Sequence, residues 1–275
     1  MIYLAALLLA APALALDVQG HRGARGHLPE NTLPAFEYAA RLGVDTLELD
    51  CGVTGDGVVV VHHDRRLNPD IARRPDGSWV SVPSPAVFSL SYAELQQYDV
   101  GRLRPGSDYA KRFPHQRAVD GTRVPRLSEV LKHGTRFNIE TKLSAEAPDE
   151  TLPPEAFARA LIAEVRKAGA EKRTTIQSFD FRTLKVVERE APEIGTVYLT
   201  MGKASDPGEV AAAGARIWSP DFRDLDAAKV AAARARGMKI VPWTVNEPAD
   251  IERVLALGVD GIISDYPDRV IARRQ

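Results

Sequence analysis

The chain has 275 residues, of which 44% are hydrophobic and 27% are charged, as is typical of a globular enzyme. A formal net charge of -1 provides no basic surface for nucleic acid, so we expect a small-molecule substrate and no nucleic-acid partner. Because Cys51 is the single cysteine, an intramolecular disulfide is excluded. Composition leaves the oligomeric state open.

An almost unbroken apolar run at residues 2–16 opens the sequence and is followed by Asp17. Residues 13–15 (ALA) form a small-x-small cleavage pattern, so we predict that 1–15 is a secretory signal peptide and that the mature protein is periplasmic or secreted. The run is shorter than the roughly 20 residues of a spanning helix, so no transmembrane span is expected in the mature chain. A buried N-terminal strand and a membrane-facing anchor are the alternatives.

Strand-like runs then alternate with helical patterns, which is typical of parallel strands joined by crossover helices. Nine strands are predicted, at 18–22, 46–53, 58–63, 137–142, 174–178, 195–200, 216–219, 239–245 and 261–264. The turn sequence TGDG at 54–57 predicts a hairpin between the second and third runs, in which Val53 pairs with Val58 and Glu48 with His63. Eight parallel strands remain, so we predict an α/β fold, a (β/α)8 TIM barrel with one extra hairpin strand.

Helices are predicted between these strands. One follows Asn31 and Thr32 and ends at Gly43, and others span 153–168, 224–236 and 248–257, each ending beside a glycine. Residues 65–127 do not follow the alternation, because they are rich in Pro, Arg, Asp, Ser and aromatic residues. A loop of this length in a compact domain is usually functional. We predict a small cap over the barrel mouth, within one domain at 17–275.

Three acidic residues fall near the ends of two predicted strands. Glu48 and Asp50 are two positions apart and share a strand face, and Glu140 can converge on them from another strand. Three carboxylates at one mouth repel each other unless a cation neutralises them, and oxygen-only ligands favour Ca²⁺ or Mg²⁺ over Zn²⁺. We therefore predict one divalent cation on these residues, the alternative being surface ion pairs. Glu30 is a weaker candidate ligand.

Two histidines lie at strand ends near these acids. His21 ends the first predicted strand and His63 ends the hairpin, so both can reach the barrel mouth. His62 alternates to the opposite face and is assigned to packing or to support of the site. A lone histidine is more often structural, but two beside an acidic cluster favour proton transfer.

Four further residues are candidates for contact with substrate. Arg22 and Lys142 adjoin the histidine and acidic positions and can hold a phosphate oxygen, with ion pairs to neighbouring acids as the alternative. Gln177 is a weaker candidate as a donor to substrate. Trp243 is a candidate for a cavity wall, or else for the core.

Eight short motifs resemble those of the glycerophosphodiester phosphodiesterase family. They are HRG at 21–23, PENT at 29–32, ELD at 48–50, HD at 63–64, NIETK at 138–142, QSF at 177–179, WTVN at 243–246 and GVDGIISD at 258–265. The resemblance implies a (β/α)8 barrel that hydrolyses glycerophosphodiesters to an alcohol and glycerol 3-phosphate, with His21 and His63 as general acid and base. The turn at 54–57 and the stretch at 68–73 depart from the family pattern, which leaves leaving-group preference open.

Three other functions compete with this interpretation. A lysophospholipase D-type phosphodiesterase would use the same fold, and an aromatic, apolar surface on the cap would favour it. A glycoside hydrolase would use two of the carboxylates but would leave His21, His63 and Lys142 without roles. A non-catalytic binder of phosphate ligands would bind substrate without turnover.

Overall fold

The computed structural model describes residues 16–274, so the predicted signal peptide lies outside the described part of the chain. Within that range the strands are β1 (Asp17–Gly20), β2 (Thr46–Val53), β3 (Val59–Val61), β4 (Arg136–Thr141), β5 (Thr174–Ser178), β6 (Gly195–Thr200), β7 (Ile217–Pro220), β8 (Lys239–Ile240) and β9 (Gly261–Ser264). The α-helices are α1 (Leu33–Leu42), α2 (Tyr92–Leu95), α3 (Asp108–Arg112), α4 (Leu127–Val130), α5 (Pro154–Lys167), α6 (Phe181–Glu190), α7 (Pro207–Ala212), α8 (Ala227–Arg234), α9 (Pro248–Ala256) and α10 (Pro267–Ile271). None of these helices is both long and apolar enough to cross a bilayer.

Eight strands form a nearly closed parallel barrel in the order β8-β7-β6-β5-β4-β2-β1-β9. Backbone hydrogen bonds from Asp260 N to Ile240 O (2.9 Å) and from Ile263 N to Pro242 O (3.0 Å) join its two ends. The predicted strand at 239–245 is shorter in the structure, where Pro242 has no N–H to donate to a ladder. The predicted (β/α)8 architecture is confirmed.

The extra strand β3 pairs antiparallel with β2, as the hairpin prediction requires, but the register is shifted by one residue. Val53 pairs with Val59, and not with Val58. The predicted pairing of Glu48 with His63 is therefore wrong.

The turn explains this shift. Thr54 N donates to Val58 O (3.0 Å) and Thr54 Oγ1 accepts from Val58 N (3.0 Å), so these two residues close the loop and three residues form it. In the resulting register His62 N donates to Asp50 O (2.9 Å). Since β3 ends at Val61, His63 reaches the barrel mouth from the chain that follows the strand.

Between residues 16 and 274, buried apolar side chains form two groups that stabilise the fold. The larger joins strands and helices of the barrel and includes Leu47, Leu49 and Ile139. The smaller lies under residues 65–127, which we call the inserted segment, and joins residues such as Leu95 to Val60 of β3. The inserted segment thus has a hydrophobic cluster of its own that is seated on the hairpin.

Candidate active site

A cavity of about 400 Å³ opens at the carboxyl ends of the barrel strands, the face that carries the active site in (β/α)8 enzymes. It is lined by all the predicted site residues except one, namely His21, Arg22, Glu48, His63, Glu140, Lys142, Gln177 and Trp243. The exception is Asp50, which is fully buried on the same face of β2 as Glu48. Tyr109 and Arg112 of the inserted segment also line the cavity.

The three predicted acids lie together. Asp50 pairs with Glu140 in the parallel register of β2 and β4, and the two-residue alternation of β2 places Glu48 on the same face. One carboxylate oxygen from each of the three lies within 4.8 Å of the others. Glu48 and Asp50 are 1% and 0% exposed, so water does little to screen their mutual repulsion.

This crowding appears in the pKa values of the acids. Burial and the charge of Asp50 raise the pKa of Glu48 well above its usual range. Burial also raises the pKa of Glu140 to about 7. The charge of Lys142 opposes this shift, and the charge of Asp50 adds to it. Asp50 behaves differently: although burial opposes ionisation, Lys142 and Arg22 hold its pKa well below the usual range. Asp50 is thus a fixed anion, whereas neighbouring cations do not fully neutralise the negative charges that Glu48 and Glu140 carry when ionised.

Two cationic side chains lie against the acids. Lys142 Nζ is 2.7 Å from Glu140 Oε1 and 3.0 Å from Asp50 Oδ1. Arg22 Nε is 3.2 Å from Asp50 Oδ2, and its Nη1 donates to Glu30 Oε1 at 2.6 Å. Arg22 is thus shared between Asp50 and Glu30, and Lys142 between Asp50 and Glu140, so the three carboxyl groups of the cluster, when ionised, carry more negative charge than these two cations neutralise. Glu30 itself is bound to Arg22 and lies outside the three-carboxylate cluster.

His21 and His63 are each held through Nδ1 by a carboxylate. His21 Nδ1 is 2.6 Å from Asp265 Oδ1, and its Nε2 is 3.9 Å from Glu48 Oε2. His63 Nδ1 is 2.6 Å from Asp64 Oδ1. Nε2 is therefore the nitrogen that each ring has left for proton transfer.

Both imidazoles favour the neutral form at neutral pH. Burial lowers the pKa of His21 to about 4, although the charge of Asp265 opposes the shift. Burial and then the charge of Arg22 lower the pKa of His63. A neutral imidazole held through Nδ1–H can accept a proton at Nε2.

Gln177 and Trp243 support the cavity. Gln177 Nε2 donates to Glu48 Oε1 at 2.7 Å, and its own oxygen accepts from Asn138 Nδ2 at 2.9 Å. The amide thus orients a carboxylate of the acidic cluster. Trp243 Nε1 donates to Ser219 O at 3.0 Å, and its ring packs edge to face on Phe179 at 5.5 Å. Trp243 therefore forms a wall.

Four residues near the site carry contacts that the motifs alone do not indicate. Asn31 brackets Asp50, donating to Oδ2 at 2.9 Å and accepting from its backbone N at 3.2 Å, while the neighbouring Thr32 caps α1. Arg25, Tyr109 and Asp265 form hydrogen bonds around His21. Asp265 lies in a motif, but its partner is 244 residues away in sequence, which no local pattern reveals.

His62 lies away from this chemistry. It is 6% exposed and does not line the cavity. Among the residues from 16 to 274 its Nε2 has no hydrogen-bond partner.

Comparison with known proteins agrees with this site. The model of the glycerophosphoryl diester phosphodiesterase family matches residues 21–269. A glycerophosphodiester phosphodiesterase of Bacillus subtilis is 32% identical over 265 residues, which cover 90% of this chain and 83% of the relative.

Solved structures share the fold. A crystal structure from Silicibacter pomeroyi, described as a candidate glycerophosphoryl diester phosphodiesterase, superposes with a TM-score of 0.89 at 37% identity and covers 94% of this chain and 93% of its own. An Oleispira antarctica phosphodiesterase in complex with the product sn-glycerol-3-phosphate has the same fold, with a TM-score of 0.75 at 23% identity and coverage of 94% and 96%. On these matches and its site, the chain belongs to the glycerophosphoryl diester phosphodiesterase family.

Proposed function

We propose that this protein hydrolyses glycerophosphodiesters to an alcohol and glycerol 3-phosphate, and that the reaction requires one divalent cation, Ca²⁺ or Mg²⁺. The observation that supports this most directly is that the carboxylates of Glu48 and Glu140 and the imidazoles of His21 and His63 line one cavity. Cleavage of a phosphodiester requires a proton acceptor, a proton donor and neutralisation of charge on the phosphorane. The cavity contains residues for each requirement.

The acidic cluster fits a hard divalent cation. All three residues, Glu48, Asp50 and Glu140, offer oxygen, the donor type that Ca²⁺ and Mg²⁺ prefer. When ionised, these three carboxylates carry more negative charge than Lys142 and the shared Arg22 neutralise, and a divalent cation compensates that excess. When bound, such a cation supplies Lewis-acid stabilisation to the phosphate.

Residues of the chain itself carry out the proton transfers. We assign one of His21 and His63, in its neutral form, to accept the proton of the nucleophile at Nε2, and the other, in its protonated form, to give its Nε2 proton to the departing alkoxide. Lys142 lines the cavity and, together with Arg22, is assigned to stabilise negative charge on phosphate oxygens. Gln177 orients Glu48, and Trp243 limits the space for the substrate.

A second substrate class is favoured by the apolar side of the cavity. Phe179 is 47% and Met201 is 57% exposed, and both line the cavity beside Leu199 and Trp243. Such a patch at the rim of a polar cavity suits a hydrocarbon chain. We therefore retain lysophospholipids as alternative substrates for the same phosphodiester chemistry.

The signal peptide at 1–15 and a periplasmic or secreted location stay part of the proposal, supported by the apolar run and its cleavage pattern. The role of residues 65–127 as a cap is supported by Tyr109 and Arg112, which extend the cavity wall. Sequencing the N-terminus of the exported protein tests the first prediction, and a mature chain that begins at residue 1 would contradict it.

The function is tested by assaying glycerophosphocholine and lysophosphatidylcholine, each with chelator and after addition of Mg²⁺ or Ca²⁺. We expect hydrolysis of glycerophosphocholine that chelation abolishes and one of the ions restores. Activity that is insensitive to chelator would remove the metal requirement. Comparison of Phe179→Ala with wild type then separates the substrate classes, since loss confined to lysophosphatidylcholine would identify the apolar patch as an acyl-chain site.

A further inference from the structure

A chain of hydrogen bonds leads from His21 into the inserted segment. Asp265 accepts from His21 Nδ1 at 2.6 Å. The same carboxylate is held by Arg25, whose Nε and Nη2 lie 2.9 and 3.1 Å from its two oxygens, and by Asn246 Nδ2 at 2.7 Å. His21, Arg25 and Asp265 are 8%, 5% and 1% exposed, so water cannot readily replace these contacts. Arg25 makes two of the three side-chain contacts besides His21 that hold the Asp265 carboxylate in place, so the orientation of the imidazole depends in part on the position of its guanidinium.

Tyr109 is the residue of the inserted segment that takes part in these hydrogen bonds. Its hydroxyl accepts from Arg25 Nη1 at 3.0 Å and donates to Glu30 Oε2. Glu30 in turn binds Arg22, whose backbone N donates to Glu48 Oε2 at 2.8 Å. The hydroxyl therefore lies where the supports of His21 and of the acidic cluster meet.

The hydroxyl also separates two groups of opposite charge. Arg25 Nη1 is only 3.8 Å from Glu30 Oε2, and with no hydroxyl between them the guanidinium is drawn towards Glu30 and away from Asp265. The aromatic ring is fixed independently, because it packs on Phe113 at 5.6 Å. Replacing Tyr109 by phenylalanine thus removes the hydrogen bonds while it leaves the packing in place.

We propose that Tyr109 is a positioning residue for His21. The Tyr109 hydroxyl keeps Arg25 on Asp265 and so keeps Nε2 of the imidazole directed at the cavity. The catalytic part of this inference rests on the proposed function of His21. The structural part, the orientation and tautomer of the imidazole, is measurable without any substrate.

The test is Tyr109→Phe, with Tyr98→Phe as the matched control, since Tyr98 packs against the hydrophobic cluster of the same inserted segment. Long-range ¹H–¹⁵N correlation spectra report which ring nitrogen of His21 carries the proton, and the missing signals of His21→Gln assign them. We expect Nδ1–H in wild type and Tyr98→Phe, and shifted or mixed nitrogen signals in Tyr109→Phe.

Steady-state kinetics on glycerophosphocholine give the second measurement. Loss of hydrogen bonds to charged groups predicts that kcat falls about 10- to 100-fold in Tyr109→Phe, with KM changed much less. Asp265→Asn should give the same spectral change and a similar loss, with metal affinity retained.

Unchanged His21 signals in Tyr109→Phe would overturn the proposal, whether or not kcat falls, because a kcat effect alone would place Tyr109 on the substrate. If wild type shows no hydrolysis while the His21 signals still move, the proposed function fails and the positioning contact stands.

Discussion

The ammonium of Lys142 lies 3.0 Å from Asp50 and 2.7 Å from Glu140, although all three groups are largely shielded from water. The neighbouring strands β2 and β4 hold this arrangement, since Asp50 and Glu140 are paired in register. The pKa of Glu48 is raised, and so is that of Glu140 despite its contact with Lys142. The site therefore combines one fixed anion, Asp50, with two carboxyl groups whose charge is not fully compensated.

Lys142→Met should destabilise the protein without metal by about 3–5 kcal/mol, because removing one partner leaves buried charge unpaired. Addition of Mg²⁺ or Ca²⁺ should then raise Tm more in the variant than in wild type. Thermal unfolding with chelator and with metal measures both effects. Lys132→Met, at an exposed position, is the control, and equal stability of the two variants would contradict the prediction.

Metal affinity should rise with pH. A carboxyl group must lose its proton before it binds a cation, and the pKa of Glu140 is about 7 without metal. Below that pH each bound ion displaces a proton, so the association constant should increase at least about tenfold between pH 6 and pH 8. Calorimetry in buffers of different ionisation enthalpy detects the released proton.

Glu140→Gln should reduce this proton release, leaving the contribution of Glu48, whose pKa is also raised, and should weaken metal binding at both pH values. Glu37→Gln, on the exposed face of α1, controls for loss of a distant charge. Affinity that is independent of pH in wild type would show that Glu140 is already ionised or does not take part in binding.

The two adjacent histidines should have separable effects. His63→Ala should lower kcat by about 100-fold or more, the usual contribution of a general acid or base, and should retain metal affinity. His62→Ala should affect stability more than turnover, because His62 is buried away from the cavity. Steady-state kinetics and urea unfolding of both variants measure these effects on turnover and on stability. Near-normal turnover in His63→Ala with loss in His62→Ala would reverse the assignment.

Gly23 is needed for the close approach of the first motif to α1. Its φ is +86°, and a Cβ there would lie 2.8 Å from the backbone carbon of Ala35. Gly43 has a similar φ of +85° but open space around it. Gly43→Ala should cost about 1–2 kcal/mol of left-handed strain, and Gly23→Ala about 1–3 kcal/mol more for the overlap. Urea unfolding measures the difference, and equal losses would exclude the steric effect.

Part of the acidic cluster follows from strand geometry alone. Glu48 and Asp50 share a face because strand side chains alternate with a period of two, and the same rule places Lys142 with Glu140. Parallel strands end at one edge, so the alternation of strands and helices also brings these positions to one mouth.

The sequence by itself determined the barrel and placed the predicted acids, histidines and cations near its mouth, because hydrophobic period and strand direction are local properties of the chain. Tertiary structure alone decided the hairpin register, where the Thr54 hydroxyl closes a three-residue loop and shifts the pairing by one. It also decided the partners of His21, since Asp265 and Tyr109 reach that imidazole and its arginine from distant segments. Such contacts depend on how separate elements pack, and no local sequence pattern shows which distant residues will meet.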